Sequence, residues 1–325
     1  MSKFLSLCML LLYCSCTFSF AQQKSIIGNP IMSGYYADPT IVKNNGSYFI
    51  YATIDPWGGN ELAVFETKDF ITFKQHHLNW PTKAACTSPT SKSSMVWAPS
   101  VVKKNAKFYM YVAVGSEIWG GVANSPTGPW KNIKPDNTPL VKVTDFPEVH
   151  NIDPDCFIDD DGQAYIYWGS GYNWINGHCI AVKLKSDMYT FDGKPADITP
   201  THFFEGAHVM KRQGKYYLMF SEGKAIDATY QVGYATGKSP LGPFKEDEHR
   251  LILKTSADST IIGPGHHTTF KENGQYYILY HRIYPQKEAY VLRQLCLDSL
   301  NFDSKGNILK VNTAGVRTFK KQKRK

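Results

Sequence analysis

The chain has 325 residues, a formal net charge of +8, 42% hydrophobic residues and 14% aromatic residues. That composition excludes a disordered, coiled-coil or collagen-like chain. It allows one or two globular domains, and a single all-β domain of this size is common.

The first stretch is set apart from the rest. Lys3 gives a positive start, Phe4 to Phe20 is apolar, and Ser19-Phe20-Ala21 places small residues near a cleavage point. This reads as a signal peptide over 1–21, with a secreted or periplasmic mature chain of 22–325. Cys14 and Cys16 raise a lipoprotein alternative, which the residues before them, Tyr13 and Ser15, suit poorly. No second apolar run follows, so stable membrane insertion is not expected. Removing one Lys with the leader lowers the charge from +8 to +7, and much of the remainder sits in the tail Lys320 to Lys325. With no nucleic-acid motif beside it, that tail reads as a frayed terminus rather than a nucleic-acid site. Of the 7 cysteines, Cys86, Cys156, Cys179 and Cys296 lie beyond the leader, widely spaced and without a C-x-x-C pair. The spacing supports neither a zinc site nor a dense disulfide framework.

Along the rest of the chain one unit recurs. Gly46-Ser47-Tyr48-Phe49-Ile50-Tyr51 comes first, then strand-like runs start at Ala106, Gly162, Gly214 and Gly274. Asp-Gly or Asn-Gly between apolar runs is a hairpin signal. A second echo pairs Ser125-Pro126-Thr127-Gly128-Pro129-Trp130 with Ser239-Pro240-Leu241-Gly242-Pro243-Phe244. Repeats of short aromatic strands at such a period predict propeller blades. A β-sandwich does not account for five copies of one hairpin. The expected fold is therefore all-β, a single five-bladed β-propeller over 22–325, with the Asn45-Gly46-Ser47 sequon serving as a turn.

Just upstream of the hairpins lie Asp38, Trp97, Asp153, Glu205 and His266, eight or nine residues before each start. If these open the innermost strand of each blade, they ring the mouth of the central channel. Carboxylates facing one pocket suit glycoside hydrolysis, which needs a protonated acid and an ionised partner. Trp97 offers a flat face for a sugar ring. Tyr35, Tyr36, Trp168 and Trp174 are further aromatic candidates, each with blade core as the plainer alternative. Asp155 and Asp159 to Asp161 read as hairpin-shaping residues, and Glu222 and Asp227 as surface charges.

The blocks Tyr36-Ala37-Asp38-Pro39, Trp97-Ala98-Pro99-Ser100, Ile152-Asp153-Pro154, Glu205-Gly206-Ala207-His208 and Gly263-Pro264-Gly265-His266 together resemble glycoside hydrolase family 43. The resemblance implies an inverting glycosidase acting on plant cell-wall polysaccharide. α-L-Arabinofuranosidase is the first expectation, with β-xylosidase or endo-1,5-α-L-arabinanase as alternatives. A non-catalytic carbohydrate-binding propeller is the alternative of another class. Position by position, Asp38 resembles the general base, Glu205 the general acid, and Asp153 the residue that tunes and orients the acid. His266 resembles a histidine under the sugar, in some members beside a calcium ion on the propeller axis; no other cofactor is implied. Arg293 resembles an arginine used on the terminal sugar. The family's acid is commonly followed by Gly-Pro, here Gly206-Ala207, and its Trp-Ala-Pro block by an acidic residue, here Ser100. Inversion would require the two reacting carboxyls to stand about 6.5–9.5 Å apart. The segments Tyr172 to His178 and Ile54 to Asn60 are the expected walls of the pocket.

Overall fold

A computed structural model describes residues 26–92 and 94–317. The leader expected over 1–21 and the basic tail 320–325 lie outside the described residues. Blade 1 comprises β2 (Tyr36–Asn44), β3 (Ser47–Ile54), β4 (Ala63–Thr67) and β5 (Phe73–His76), preceded by the short strand β1 (Ile26–Ile27). Blade 2 comprises β6 (Val96–Lys104), β7 (Lys107–Val114), β8 (Ile118–Ala123) and β9 (Lys131–Asn132). Blade 3 comprises β10 (Asp155–Ile158), β11 (Ala164–Trp168), β12 (Ile180–Lys183) and β13 (Ala196–Asp197). Blade 4 comprises β14 (Glu205–Arg212), β15 (Lys215–Glu222), β16 (Gln231–Gly237) and β17 (Leu251–Leu253). Blade 5 has three strands, β18 (Ile262–Glu272), β19 (Gln275–Ile283) and β20 (Arg293–Leu300), and β21 (Val316–Arg317) pairs back onto β1. The five-bladed propeller expected from the repeats is the fold observed.

The recurring hairpin is the turn between the first and second strand of each blade. In four blades its two central residues both have positive φ: Asn45 and Gly46, Asn105 and Ala106, Gln213 and Gly214, Asn273 and Gly274. Such a turn matches the twist of the strands it joins, which is why Asn and Gly recur there. Blade 3 uses a longer loop, in which the Gly162 amide donates to the Asp159 carbonyl and Asp159 donates to Gln163.

Blades pack face to face through their apolar side chains. One buried cluster joins blades 1 and 2 through Tyr51, Val64, Trp80, Met110 and Trp119, and others join blades 2 and 3, 3 and 4, and 4 and 5. A fifth, with Ile27, Ile50, Leu295, Leu297 and Val316, closes the ring between blades 5 and 1. Asp298 locks that closure, accepting from Asn29 Nδ2 at 2.7 Å, Tyr280 Oη at 2.8 Å and the Gly315 amide at 2.8 Å. The fit is close: a Cβ on Gly121 would stand 2.1 Å from the Trp80 ring.

In four blades the first strand is broken at the point where it faces the axis. Register shifts fall between Ala37 and Thr40, Trp97 and Ser100, Glu205 and His208, and Gly265 and Thr268. A bulge places an extra residue on one strand and re-aims side chains. The left-handed residues in these breaks are Asp38, Ala98, Gly206 and His266, with Asp153 at the corresponding point of blade 3. Immediately below, side chains stitch each blade to the next. The Val101 amide donates to Thr40 Oγ1 at 3.2 Å, Cys156 to Ser100 Oγ at 3.0 Å, Val209 to Asp155 Oδ2 at 2.9 Å and Thr269 to His208 Nε2 at 3.1 Å.

Candidate active site

The expected ring resolves into two adjacent levels. Asp38, Asp153 and His266 occupy the left-handed position, while Trp97 and Glu205 precede it by one residue, beside Ala98 and Gly206. An extended strand would point two such neighbours to opposite faces; the bulge lets both levels face the axis. Asp38 at φ 50°, Asp153 at φ 57° and His266 at φ 39° are non-glycine residues in a costly region. Such strain persists where the surroundings over-determine it, as they do in active sites.

All five line one cavity of about 370 Å³, together with Arg293, Trp57, His150, Ser170, Phe204 and the turn Tyr172–Trp174. That is the size of a small-molecule site. Its charged and titratable groups are buried: Asp38 is 3%, Asp153 4%, Glu205 8% and Arg293 3% exposed. The two segments expected as walls contribute Trp57 from blade 1 and Tyr172, Asn173 and Trp174 from blade 3. His150 stacks on Tyr172, with ring centroids 4.9 Å apart, and so completes an apolar wall with Trp97.

Three aromatic candidates fall elsewhere. Trp168 is fully buried between blades, stacked on Phe191, with its Nε1–H donated to Asn151 Oδ1 at 3.0 Å. Tyr36 packs edge-on against Phe65 and, like Tyr35 against Tyr284, is not a lining residue. These are core and rim aromatics rather than sugar contacts. Glu222 is likewise not a surface charge: it is buried and paired with Arg250. Asp155 does more than shape a hairpin, since it joins blade 3 to blade 4 through Val209 and His208. The four described cysteines are free and buried.

The carboxyls are treated in opposite ways. Burial would push Asp38 up, but Arg293, then His266 and His281, outweigh it and hold Asp38 well below the usual carboxylate range. Arg293 Nη1 donates to its Oδ1 at 3.0 Å, Thr53 Oγ1 donates to its Oδ2 at 2.7 Å, and His266 Nδ1 lies 3.2 Å from Oδ1. Burial pushes His266 itself down to about 4, so at neutral pH it is uncharged. Glu205 is pushed up to about 7, chiefly by burial, against the opposing hydrogen bonds of Tyr230 and Ser170. Those bonds are 2.8 Å from Tyr230 Oη to Oε1 and 3.0 Å from Ser170 Oγ to Oε2. Asp153 is pushed well above its ordinary value by burial, then by Glu205 and Asp38. Three carboxyls so close together resist being charged at once. Arg293 holds Asp38 ionised, while Asp153 and Glu205 are shifted toward the protonated form.

Near His266 the donors do not form a cage for a cation. Its Nδ1 faces Asp38 and Asp153, and among the described residues no group of three His, Cys, Asp or Glu side chains is placed to hold a metal ion.

Sequence reasoning missed Asp55, Thr53, Tyr230, Ser170 and His281. Asp55 holds Arg293 through the backbone amide and both sides of the guanidinium, at 2.7–3.2 Å. The model for "Glycosyl hydrolases family 43" matches residues 27–308. The chain belongs to that family of inverting glycosidases. A β-D-galactofuranosidase of Aspergillus niger is 35% identical over 302 residues, covering 88% of this chain and 85% of that one. An arabinoxylan arabinofuranohydrolase of Bacillus subtilis is 27% identical over 296 residues, covering 78% of this chain and 57% of its own length. A crystal structure of a family 43 arabinoxylan arabinofuranohydrolase from Bacillus subtilis superposes with TM-score 0.75 at 26% identity, over 90% of this chain and 69% of the other. That of an α-L-arabinofuranosidase from Clostridium thermocellum gives TM-score 0.67 at 27% identity, over 86% and 95%. The family 43 chain described here therefore shares its propeller with solved structures that include arabinofuranoside-cleaving relatives.

Proposed function

We propose that the chain is a secreted, exo-acting glycosidase that removes terminal furanosyl residues from plant cell-wall polysaccharide, with α-L-arabinofuranosides as its first substrates. The observation that carries this reading is the opposed treatment of Asp38 and Glu205 at the bottom of one pocket: one held ionised, the other protonated up to about 7. A sugar-binding propeller has no need of that contrast. Glu205 gives its proton to the glycosidic oxygen as the bond from the anomeric carbon breaks. Asp38 takes a proton from the water that attacks the opposite face, which inverts the configuration. Asp153 shares the buried space with Glu205, and the reluctance of the pair to carry two charges keeps a proton on the acid. Trp97 supplies a flat face, and Arg293 and His266 meet the sugar from the base side.

The 35% identical galactofuranosidase supports a second reading of the same site. α-L-Arabinofuranosides and β-D-galactofuranosides share the configuration of the ring and differ in the substituent outside it. Aryl α-L-arabinofuranoside, β-D-galactofuranoside and β-D-xyloside, with linear arabinan alongside, distinguish these outcomes. The arabinofuranoside is expected to turn over fastest, with single sugars released and the first-formed anomer inverted by NMR. Faster hydrolysis of the xyloside, or release of oligomers from arabinan, would overturn the assignment. Glu205→Gln should lower turnover of a poor leaving group by roughly 10²–10⁴-fold, the usual share of a general acid. Unchanged turnover removes Glu205 from the mechanism.

A further inference from the structure

Asp55 lies outside the ring of inner-strand residues. It follows β3 at the head of the segment that carries Trp57, and its amide donates to the Tyr35 carbonyl at 3.2 Å. Its side chain is fully buried. Arg293 engages both carboxylate oxygens: Oδ2 accepts from the Arg293 amide at 2.7 Å and from Nε at 3.1 Å, and Oδ1 accepts from Nη2 at 2.7 Å and also from the Trp57 amide at 3.3 Å. The Trp57 ring covers the guanidinium from one side, 4.8 Å from its centroid.

This grip fixes what Arg293 can do to Asp38. A guanidinium has five N–H donors in a planar fork. Nε–H and one Nη2–H face Asp55, and one Nη1–H reaches Asp38 at 3.0 Å. Two N–H remain on a side chain that lines the cavity, free for substrate hydroxyls. Asp38 consequently receives a single hydrogen bond from Arg293 and one from Thr53, with His266 Nδ1 3.2 Å from the same Oδ1, so Oδ2 keeps a lone pair for water. Without Asp55, a buried guanidinium would be left short of a counter-charge, a strongly unfavourable state. The nearest carboxylate is Asp38, and a guanidinium pairs with a carboxylate most strongly through two parallel bonds.

We infer that Asp55 is a positioning residue for hydrolysis, holding Arg293 in a one-bond contact with Asp38 so that the base stays open to the attacking water. The inference rests on the reading of Asp38 as the base. It does not concern the acid, and that separates it from a general loss of structure.

The test uses Asp55→Asn in the full chain, with Asp55→Glu as the conservative variant. Asp55→Asn should lower kcat by roughly 10²-fold, the low end of what a positioned base contributes. The loss should be equal for aryl furanosides with good and poor leaving groups, because the base acts on water in both. Azide needs no deprotonation. It attacks the anomeric carbon while the glycosidic bond breaks and Glu205 protonates the departing oxygen, so it should restore turnover, with glycosyl azide as product. Asp55→Glu should recover part of the rate. A loss that grows with leaving-group pKa, a change confined to KM, or no response to azide would each overturn the inference. Should Asp55→Asn fold poorly, Arg293→Lys decides instead: Asp55→Glu should slow the wild-type chain and have no further effect in the Lys background, and additive losses count against the inference. A wild-type chain that hydrolyses none of the glycosides refutes the reading of the site, and not the role of Asp55 alone.

Discussion

The blade 1 and blade 4 sides of the pocket present the same residue class in opposite environments. On the blade 1 side, Asp38 meets a fixed positive charge, Arg293, and a hydroxyl that donates directly to it, Thr53. On the blade 4 side, Glu205 meets only neutral donors, Tyr230 and Ser170. Burial is common to both and favours the neutral form. The guanidinium reverses it in one case, and hydroxyls only soften it in the other. The same second-strand position marks the divergence. Thr53 stands opposite Ala37 and Ser221 opposite Glu205. Each accepts the amide of the next blade's left-handed residue, Ala98 at 2.8 Å and His266 at 2.8 Å. Thr53 then donates to Asp38, whereas Ser221 acts on Tyr230, which in turn donates to Glu205. In the proposed mechanism an acid and a base thus arise from one repeated scaffold by what stands around each carboxyl.

The largest effect comes from removing the charge on the blade 1 side. Asp38→Asn should lower kcat/KM by roughly 10²–10⁴-fold on every substrate, whatever its leaving group, since water then lacks its base. Glu205→Gln should spare activated aryl glycosides, whose leaving groups need no proton. Leaving-group series on the two variants test the comparison directly, and parallel plots would erase the distinction between the two sides.

A subtler effect is expected from the neutral donors. Activity needs Glu205 protonated, so it should fall as pH rises through about 7. Tyr230 donates to the charged form and thereby lowers that value. Tyr230→Phe removes this bond, so the basic limb of kcat/KM should move upward. A hydrogen bond to a charged group is worth about 1.5–3 kcal/mol, which corresponds to a shift of roughly one to two pH units. A limb that moves down, or does not move, would show that Tyr230 does not set the acid.

The fold was legible because its signals are local and repeated. The Asn-Gly and Gln-Gly turns state their own geometry, and five copies imply five blades. The inner ring was legible for the same reason, and the difference between eight and nine residues upstream already held the offset between Asp38 or His266 and Trp97 or Glu205. What failed to show came from elsewhere in the blades. Asp55, Ser170, Tyr230 and His281 sit on second strands and outer loops, where no recurring residue type marks them, and their roles depend on partners as many as 243 residues away. Trp168 and Trp97 look alike as letters, yet Asn151 satisfies the Trp168 indole inside the core while Trp97 faces the cavity. Ser100, a departure from the family's acidic residue, proved to be a stitch to blade 3.

The smallest expected effects come from the matched hydroxyls, and they separate shared scaffold from divergent chemistry. Thr53→Val and Ser221→Ala each leave one buried amide, that of Ala98 or His266, without its acceptor. Each should therefore cost about 1–3 kcal/mol of stability, read as a lower denaturant midpoint with unchanged slope. Their effects on catalysis should part. Thr53→Val removes a donor from Asp38 and should change kcat a few-fold at constant pH profile, because Arg293 still holds the base ionised far below the assay range. Ser221→Ala weakens Tyr230 as the donor to Glu205 and should move the basic limb upward by less than Tyr230→Phe does. Equal stability losses with different kinetic signatures are what one scaffold with two electrostatic fates requires. A Thr53→Val variant that shifts the basic limb would mean that the two sides are coupled through more than their shared burial.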